Sequence, residues 1–367
     1  MLSCGRRARR WQTARVRVLV AMSGGVDSSV AAALLVDAGH EVVGATLKLW
    51  GGPSDSGCCS VADVDDARRV AQQLGIAHHV FDLSEEFEAA VVSPYVAAHA
   101  RARTPNPCIE CNRHIKFDRL LARTRRLGFD ALATGHHARV ERAESGTYRL
   151  LRGVDGAKDQ SYVLSMLGQE QLAAVVLPVG VLAKTSVRAR AAALGLRTAD
   201  KPDSQDVCFI ASTEGRRGFL ERRLTLRPGT VVDATSGAVV GETDSVELVT
   251  VGQRRGMGHG DDGQRRYVTA VDSTTRRVFV APAAAALVAR VVLEPDSLAW
   301  ADRPLGPGAR AVAQVSAHGR PVPCTFEGDP TCAVVFAAAQ RPVAPGQTIA
   351  LYDADDPDVV VGSGIVA

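Results

Sequence analysis

The sequence predicts an α/β protein: a doubly wound parallel sheet up to about residue 213, followed by two small β-rich modules. Three observations carry this. Strand-like apolar runs alternate with helical stretches as far as Asp130–Thr134, the pattern of a parallel sheet with crossover helices. The first run, Val16–Met22, leads through Ser23-Gly24-Gly25-Val26-Asp27-Ser28-Ser29 straight into the helical Val30–Leu35. Beyond Leu226 the helical periods thin out, and Pro228-Gly229, Ser236-Gly237 and Gly256-Met257-Gly258 punctuate short Val/Thr-rich runs.

The loop after the first strand sets the chemistry. A strand that ends in a Gly pair and a helix N-terminus makes an anion site, because backbone N–H groups and the positive end of the helix dipole converge there. The loop is neither G-x-x-x-x-G-K-[ST] nor G-x-G-x-x-G. S-G-G-x-D-S instead resembles the loop of enzymes that split ATP between its α- and β-phosphates, which makes that cleavage the expectation here.

The remaining elements follow in order. The first helix ends near Ala38-Gly39, and Glu41–Lys48 makes the second strand. A Gly/Ser loop carries Cys58-Cys59, and Ser60 caps a helix that runs to Leu74 and stops at Gly75. Ile76–Phe81 is the third strand and Ser84–Ala102 is largely helical. Arg103–Asn112 is expected to be a rigid connection, since neither Pro105 nor Pro107 continues a helix. Lys116–Leu127 is helical, and Asp130–Thr134 is a strand delivering Gly135-His136-His137. Lys158–Tyr162 heads an apolar helix, and another helix follows Thr185-Ser186 as far as Leu194-Gly195. In a doubly wound sheet the ligand lies at the carboxyl ends of the strands, where Ser23–Ser28, Leu47, Cys111 and Gly135 all fall.

Composition narrows the class. With 46% apolar residues in 367, the chain can bury a sizeable core. No apolar run reaches the ~18 residues of a membrane span, so no membrane partner is expected and the cytoplasm is the expected location. The basic stretch at 1–14 is not followed by an apolar signal-peptide segment. A net charge of +3 permits a nucleic-acid partner without demanding one. Of the 43 basic residues only five are lysine, at 48, 116, 158, 184 and 201; the Arg excess reads as coding bias.

Cys108 and Cys111 form a C-x-x-C, and Cys208 follows almost a hundred residues later. A structural zinc site lacks a fourth ligand. Three thiolates could hold an iron–sulfur cluster, Cys108 and Cys111 could be a redox pair, or Cys111 and Cys208 could carry and resolve a persulfide. Spacing leaves these last three open. Cys324 and Cys332, in β-like runs, read as buried apolar residues, and His78-His79 as structural.

Six motifs then occur in register: Ala21–Ser29, Thr104-Pro105-Asn106-Pro107 with Cys111-Asn112, Ala133–Ala138, Lys158–Tyr162, Asp203-Ser204 with Cys208–Ile210, and Val251–Gly256. Together they closely resemble the bacterial tRNA-specific 2-thiouridylase family, from about Val16 to the C-terminus. The resemblance implies a PP-loop ATPase domain at 15–213, a central domain at 214–284 and a C-terminal β-barrel at 285–367. It implies ATP on Ala21, Met22, Ser23, Gly24, Gly25, Val26, Asp27, Ser28, Leu47 and Gly135, with Mg and Asp27 as its candidate protein ligand. Cys111 matches the family nucleophile and Cys208 the persulfide carrier. Asn106, Pro107, Cys108, His136, Lys158, Asp159, Gln160, Arg254, Arg255 and Gln347 are the expected tRNA-facing residues. The implied partners are wobble-uridine tRNAs and a persulfide donor, a cysteine desulfurase or relay protein. An iron–sulfur cluster on Cys108, Cys111 and Cys208 is not favoured, for want of a fourth ligand. Cys108 stands where many relatives carry Asp, and Ser316-Ala317-His318 replaces a segment that often bears Arg. An ATP-dependent ligase or a non-catalytic RNA binder would need no cysteine pair.

Overall fold

The computed structural model describes residues 15–50, 60–203, 207–211, 213–260 and 263–367. The basic extension, Cys58-Cys59 and Ser204 lie outside the described residues. Among the described residues no helix is long and apolar enough to cross a membrane.

The first half carries β1 (Arg17–Ala21), β2 (Glu41–Lys48), β3 (Ala77–Asp82), β4 (Ala131–Ala133), β5 (Ala138–Arg142), β6 (Tyr148–Arg152) and β7 (Val175–Val176). Five of these form a parallel sheet in the order β3-β2-β1-β4-β7. The order reverses beside β1, so the switch point, where such sheets bind ligands, is at its carboxyl end. Period-2 alternation sends Val18 and Val20 into the core on one face and Leu19 into the core on the other. Helix α1 (Val26–Asp37) follows the Gly pair. Its Ala31-Ala32-Ala33 run is fully buried because the helix is packed between the sheet and the helix Lys184–Ala193. Helix α2 (Val61–Gln73) begins with the expected cap: Ser60 Oγ accepts from Asp63 N and Asp63 Oδ2 accepts from Ser60 N, a reciprocal capping box.

Two expectations are corrected. The stretch at 103–112 is not wholly an irregular connection, because a helix starts at Pro107. Asn106 caps it, its Oδ1 accepting from Cys108 N (3.1 Å) and Ile109 N (3.4 Å). Proline at the first helical position lacks only an N–H that would have gone unpaired. The helix runs on through a π-helical Cys111–Leu120 into Leu121–Arg126, so the C-x-x-C lies in its first turns. Conversely, the apolar stretch after Tyr162 makes only two short turns, Tyr162–Leu164 and Gln169–Leu172. It is held from outside: Tyr162 Oη donates to Thr348 O (2.9 Å), and the hydroxyls of Ser161 and Tyr352 are 3.0 Å apart.

The middle sheet is β10-β11-β8-β9, from β8 (Gly229–Asp233), β9 (Val239–Thr243), β10 (Arg266–Asp272) and β11 (Arg277–Pro282), around a small valine core. The last sheet takes β12 (Val288–Val292), β13 (Ala299–Trp300), β14 (Ala309–Gln314), β15 (Val322–Glu327), β16 (Ala333–Gln340), β17 (Thr348–Asp353) and β18 (Val359–Ile365). A bridge between Leu293 and Val366 joins the two ends of the run β12-β16-β15-β14-β17-β18 and closes it into a barrel. The β5–β6 hairpin then pairs with β18, so the first half of the chain shares a sheet with the barrel.

His99 joins the first and middle parts: it is 2% exposed and its Nδ1 donates to Glu247 O (3.1 Å). Burial, against the pull of that hydrogen bond, lowers its pKa from 6.5 to about 4. The unfolded chain therefore binds this proton more readily, and stability is lost as pH falls from about 6.5 to 4. The loss should reach about 3 kcal/mol. Urea titrations of His99→Gln should lack this limb, and an unchanged limb would assign it elsewhere.

Candidate active site

A cavity of about 490 Å³ opens at the carboxyl end of β1. The loop residues Ala21, Met22, Ser23, Gly25, Val26, Asp27 and Ser28 form its floor, with Leu47 at the end of β2 and Gly135 beyond β4. Gly24 lies behind that surface with φ +72°, and a β-carbon on it would stand 2.3 Å from Asp63 O. A β-carbon on Gly135 would stand 2.5 Å from Ser28 N. Both glycines are thus required by close approach. Ser28 and Ser29 hydroxyls donate to Gly25 O at 3.1 and 2.8 Å, and Ser23 N donates to Ser28 Oγ at 3.2 Å, which holds the turn's shape.

Around this floor lies a network of charges. Lys184 is 7% exposed and its Nζ reaches both oxygens of Asp27, at 2.7 and 2.6 Å. It also reaches Asp203 at 2.8 Å. His137 Nε2 donates to Asp27 Oδ1 at 3.0 Å. Burial tends to raise the Asp27 pKa, but His137 and Lys184 outweigh it and hold the carboxyl below its ordinary value. Asp203 behaves alike: burial opposes, Lys158 and Lys184 prevail, and its pKa drops to about 2. Lys201 Nζ donates to Gly24 O (3.0 Å), Asp63 (2.6 Å) and Asp66 (2.7 Å), clamping the back of the loop onto α2. His136 bonds through Nδ1 to Thr134 Oγ1 (2.7 Å); burial, then Lys116 and His137, keep its pKa well below 6.5, so the ring is neutral at pH 7.

The remaining expected residues divide. His136, Lys158, Asp159 and Gln160 line the cavity. Lys158 pairs with Asp203 (2.9 Å), Gln160 Oε1 accepts from His137 N (2.8 Å), and Asp159 is bound by Arg152, Gly153 and Ser161. Cys111 and Cys208 do not line it. Cys111 is 8% exposed within an apolar cluster that packs against half-buried Cys208, whereas Cys108 is exposed on the first helical turn. Of the basic side chains following Cys111, Arg113 and His114 face Glu110 at 3.8 and 3.2 Å, while Lys116 lines the cavity. Asn106 and Pro107 cap and start the helix, against the barrel: Thr104 N donates to Pro345 O (2.8 Å) and Gln347 Nε2 donates to Thr104 O. Arg254 and Arg255 are exposed on a separate turn of the middle sheet. Among the described residues, no group of three His, Cys, Asp or Glu is gathered so as to hold a metal ion.

Lys184 and Lys201 were not singled out from the sequence. The signal was their rarity. Four of the five lysines, at 116, 158, 184 and 201, line this one cavity in a chain that otherwise uses arginine.

Three family models cover the chain: a tRNA methyl transferase HUP domain at 16–212, a tRNA methyl transferase PRC-barrel domain at 217–282 and an aminomethyltransferase β-barrel domain at 295–366. Proteins named tRNA-specific 2-thiouridylase MnmA from Mycobacterium avium and Roseiflexus sp. are 49% and 45% identical, each aligned over 96% of this chain and 99% of the relative. One from Thermobifida fusca is 45% identical over 96% of both chains. At such identity over nearly the whole length, this chain belongs to the tRNA-specific 2-thiouridylase family.

Proposed function

We propose that this chain is an ATP-dependent tRNA-uridine 2-sulfurtransferase acting on the wobble uridine. The observation that supports it most is one cavity, at the switch point of the sheet, where the Ser-Gly-Gly-Val-Asp-Ser loop meets four lysines, in a chain with full-length 2-thiouridylase relatives.

The uracil C2 oxygen is a poor leaving group, so it first attacks the α-phosphorus of ATP and pyrophosphate departs. Lys184 and Lys158 are the cations best placed to take up the charge that develops on the pyrophosphate, by exchanging Asp27 and Asp203 for phosphate oxygens. Mg is expected on the phosphates. Asp27, released as Lys184 turns to the phosphates, is the carboxylate that would hold the metal, which would supply further charge neutralisation there.

In the second half, the terminal sulfur of a persulfide on Cys208 attacks C2 and AMP leaves. The Cys111 thiolate then attacks Cys208 Sγ, which frees the C2 thione and leaves a Cys111–Cys208 disulfide. A thiol reductant must reopen it, and a persulfide-bearing donor protein must reload Cys208. The release of the sulfur from Cys208 as free sulfide is the alternative form of the transfer step. A base in a stacked anticodon reaches the cavity only if it is flipped out.

With labelled ATP, tRNA should provoke release of AMP and pyrophosphate; ADP and phosphate would contradict the proposal. The exposed Arg254 and Arg255 are proposed phosphate contacts. Log affinity for tRNA should fall linearly with log salt, by ~0.7–0.9 per phosphate neutralised. Arg254→Ala should flatten that slope by about one unit. An unchanged slope in filter-binding titrations would move the RNA surface away from this turn.

A further inference from the structure

The cavity has a second wall that the motifs do not reach. Ala317 and His318, on the turn between β14 and β15 of the barrel, line the same space as the phosphate loop. That turn is held by a buried chain of hydrogen bonds. Gln314 is 3% exposed, and its Nε2 donates to Ser316 O (2.9 Å) and Ala317 O (3.1 Å). Its Oε1 accepts from Arg152 Nη2 (2.8 Å). Arg152, at the end of β6, gives its other arm, Nη1, to Asp159 Oδ2 (2.9 Å) and lies over the Tyr352 ring, 3.7 Å from the centroid. Asp159 in turn accepts from Gly153 N (2.9 Å), Ser161 N (3.0 Å) and Ser161 Oγ (2.8 Å), which fixes Lys158–Gln160 on the facing wall.

Neither Arg152 nor Gln314 lines the cavity, so neither is placed to touch a ligand. Their bonds run from one wall to the other. The planar fork of Arg152 serves two partners at once, which a lysine at that site would not do. What the turn presents is an exposed imidazole, His318, a ring on which a displaced base can stack. We propose that Arg152 and Gln314 are positioning residues that hold the His318 turn over the cavity and so set the grip on the flipped-out nucleotide of tRNA. This rests on the thiolation function given above.

The test measures direct binding of an unmodified tRNA transcript and of a non-hydrolysable ATP analogue, beside steady-state thiolation. Gln314→Glu keeps an acceptor for Arg152 but sets carboxylate oxygens against two carbonyl oxygens, which releases the turn. The Kd and KM for tRNA should rise about tenfold or more, the scale of one hydrogen bond to a charged partner. Affinity for the ATP analogue and the thermal midpoint should stay at wild type. Arg152→Lys should show the same defect, and the double variant should be no worse than either single one, because both act through one chain. His318→Ala should reproduce the loss. Wild-type tRNA affinity in Gln314→Glu would overturn the proposal. So would parallel losses of ATP and tRNA binding with a lowered midpoint, which mark a merely structural role. A wild-type protein that binds tRNA without thiolating it would refute the functional reading, while the binding comparison would still decide the tether.

Discussion

Cys208→Ser is expected to abolish tRNA thiolation, by about a thousandfold or more, while tRNA-dependent release of pyrophosphate continues. The hydroxyl that replaces the thiol cannot carry a persulfide, but nothing in the adenylation step uses Cys208. Cys111→Ser should also lose turnover, through the resolving step. The two cysteines meet one apolar cluster, around Ile109, Ile115 and Phe209. Low water access on the Cys111 side would shield the proposed persulfide from side reactions. Cys108 is exposed on the other side of the helix start, its N–H spent on the Asn106 cap. Cys108→Asp should therefore retain most activity. Quantifying 2-thiouridine and pyrophosphate in the same reactions checks all three variants. Loss of pyrophosphate release in Cys208→Ser would break the proposed order of steps.

The second large effect is at Lys184. Lys184→Met should abolish pyrophosphate release and weaken ATP binding by about a hundredfold, since it removes the cation nearest the loop's carboxylate. It also leaves Asp27 and Asp203 facing each other across the space that the ammonium filled. Asp27 keeps His137, and Asp203 keeps Lys158 and Arg188, but the repulsion that the ammonium screened should still make the variant less stable. Lys184→Arg separates the two losses. It restores the charge and hence stability, but its wider head cannot sit 2.6 Å from Asp27 with the same geometry, and activity should stay low. Calorimetry with an ATP analogue, alongside thermal unfolding, reads both. Wild-type ATP affinity in Lys184→Met would remove this lysine from the phosphate site.

What the sequence revealed and what it hid divide by distance along the chain. The phosphate loop was legible because strand, Gly pair and helix start lie within a few consecutive residues, and their order alone makes an anion site. Gly135 was legible through the strand that delivers it. The partners of the loop were not: Lys184 is 157 residues from Asp27, and Lys201 is 177 from Gly24. No local pattern specifies such pairs, and the scarcity of lysine, the one signal toward them, reads as coding bias until the fold gathers them. The β5–β6 hairpin was missed for the same reason, since the strand that stabilises it is β18, some two hundred residues on. At Pro107 the error was one of rule. Proline disfavours helix interiors but suits helix starts, and Asn106 beside it was the cap signal.

The central claim is sulfur transfer to C2 of a tRNA uridine driven by cleavage of ATP between its α- and β-phosphates. Its most direct test is mass-spectrometric analysis of nucleosides from tRNA incubated with the protein, ATP, Mg and a persulfide or sulfide source, with AMP measured in parallel. The account predicts 2-thiouridine at the wobble position, formed in step with AMP and absent without ATP. Unmodified uridine in a reaction that consumes ATP, or thiolation accompanied by ADP, would contradict it.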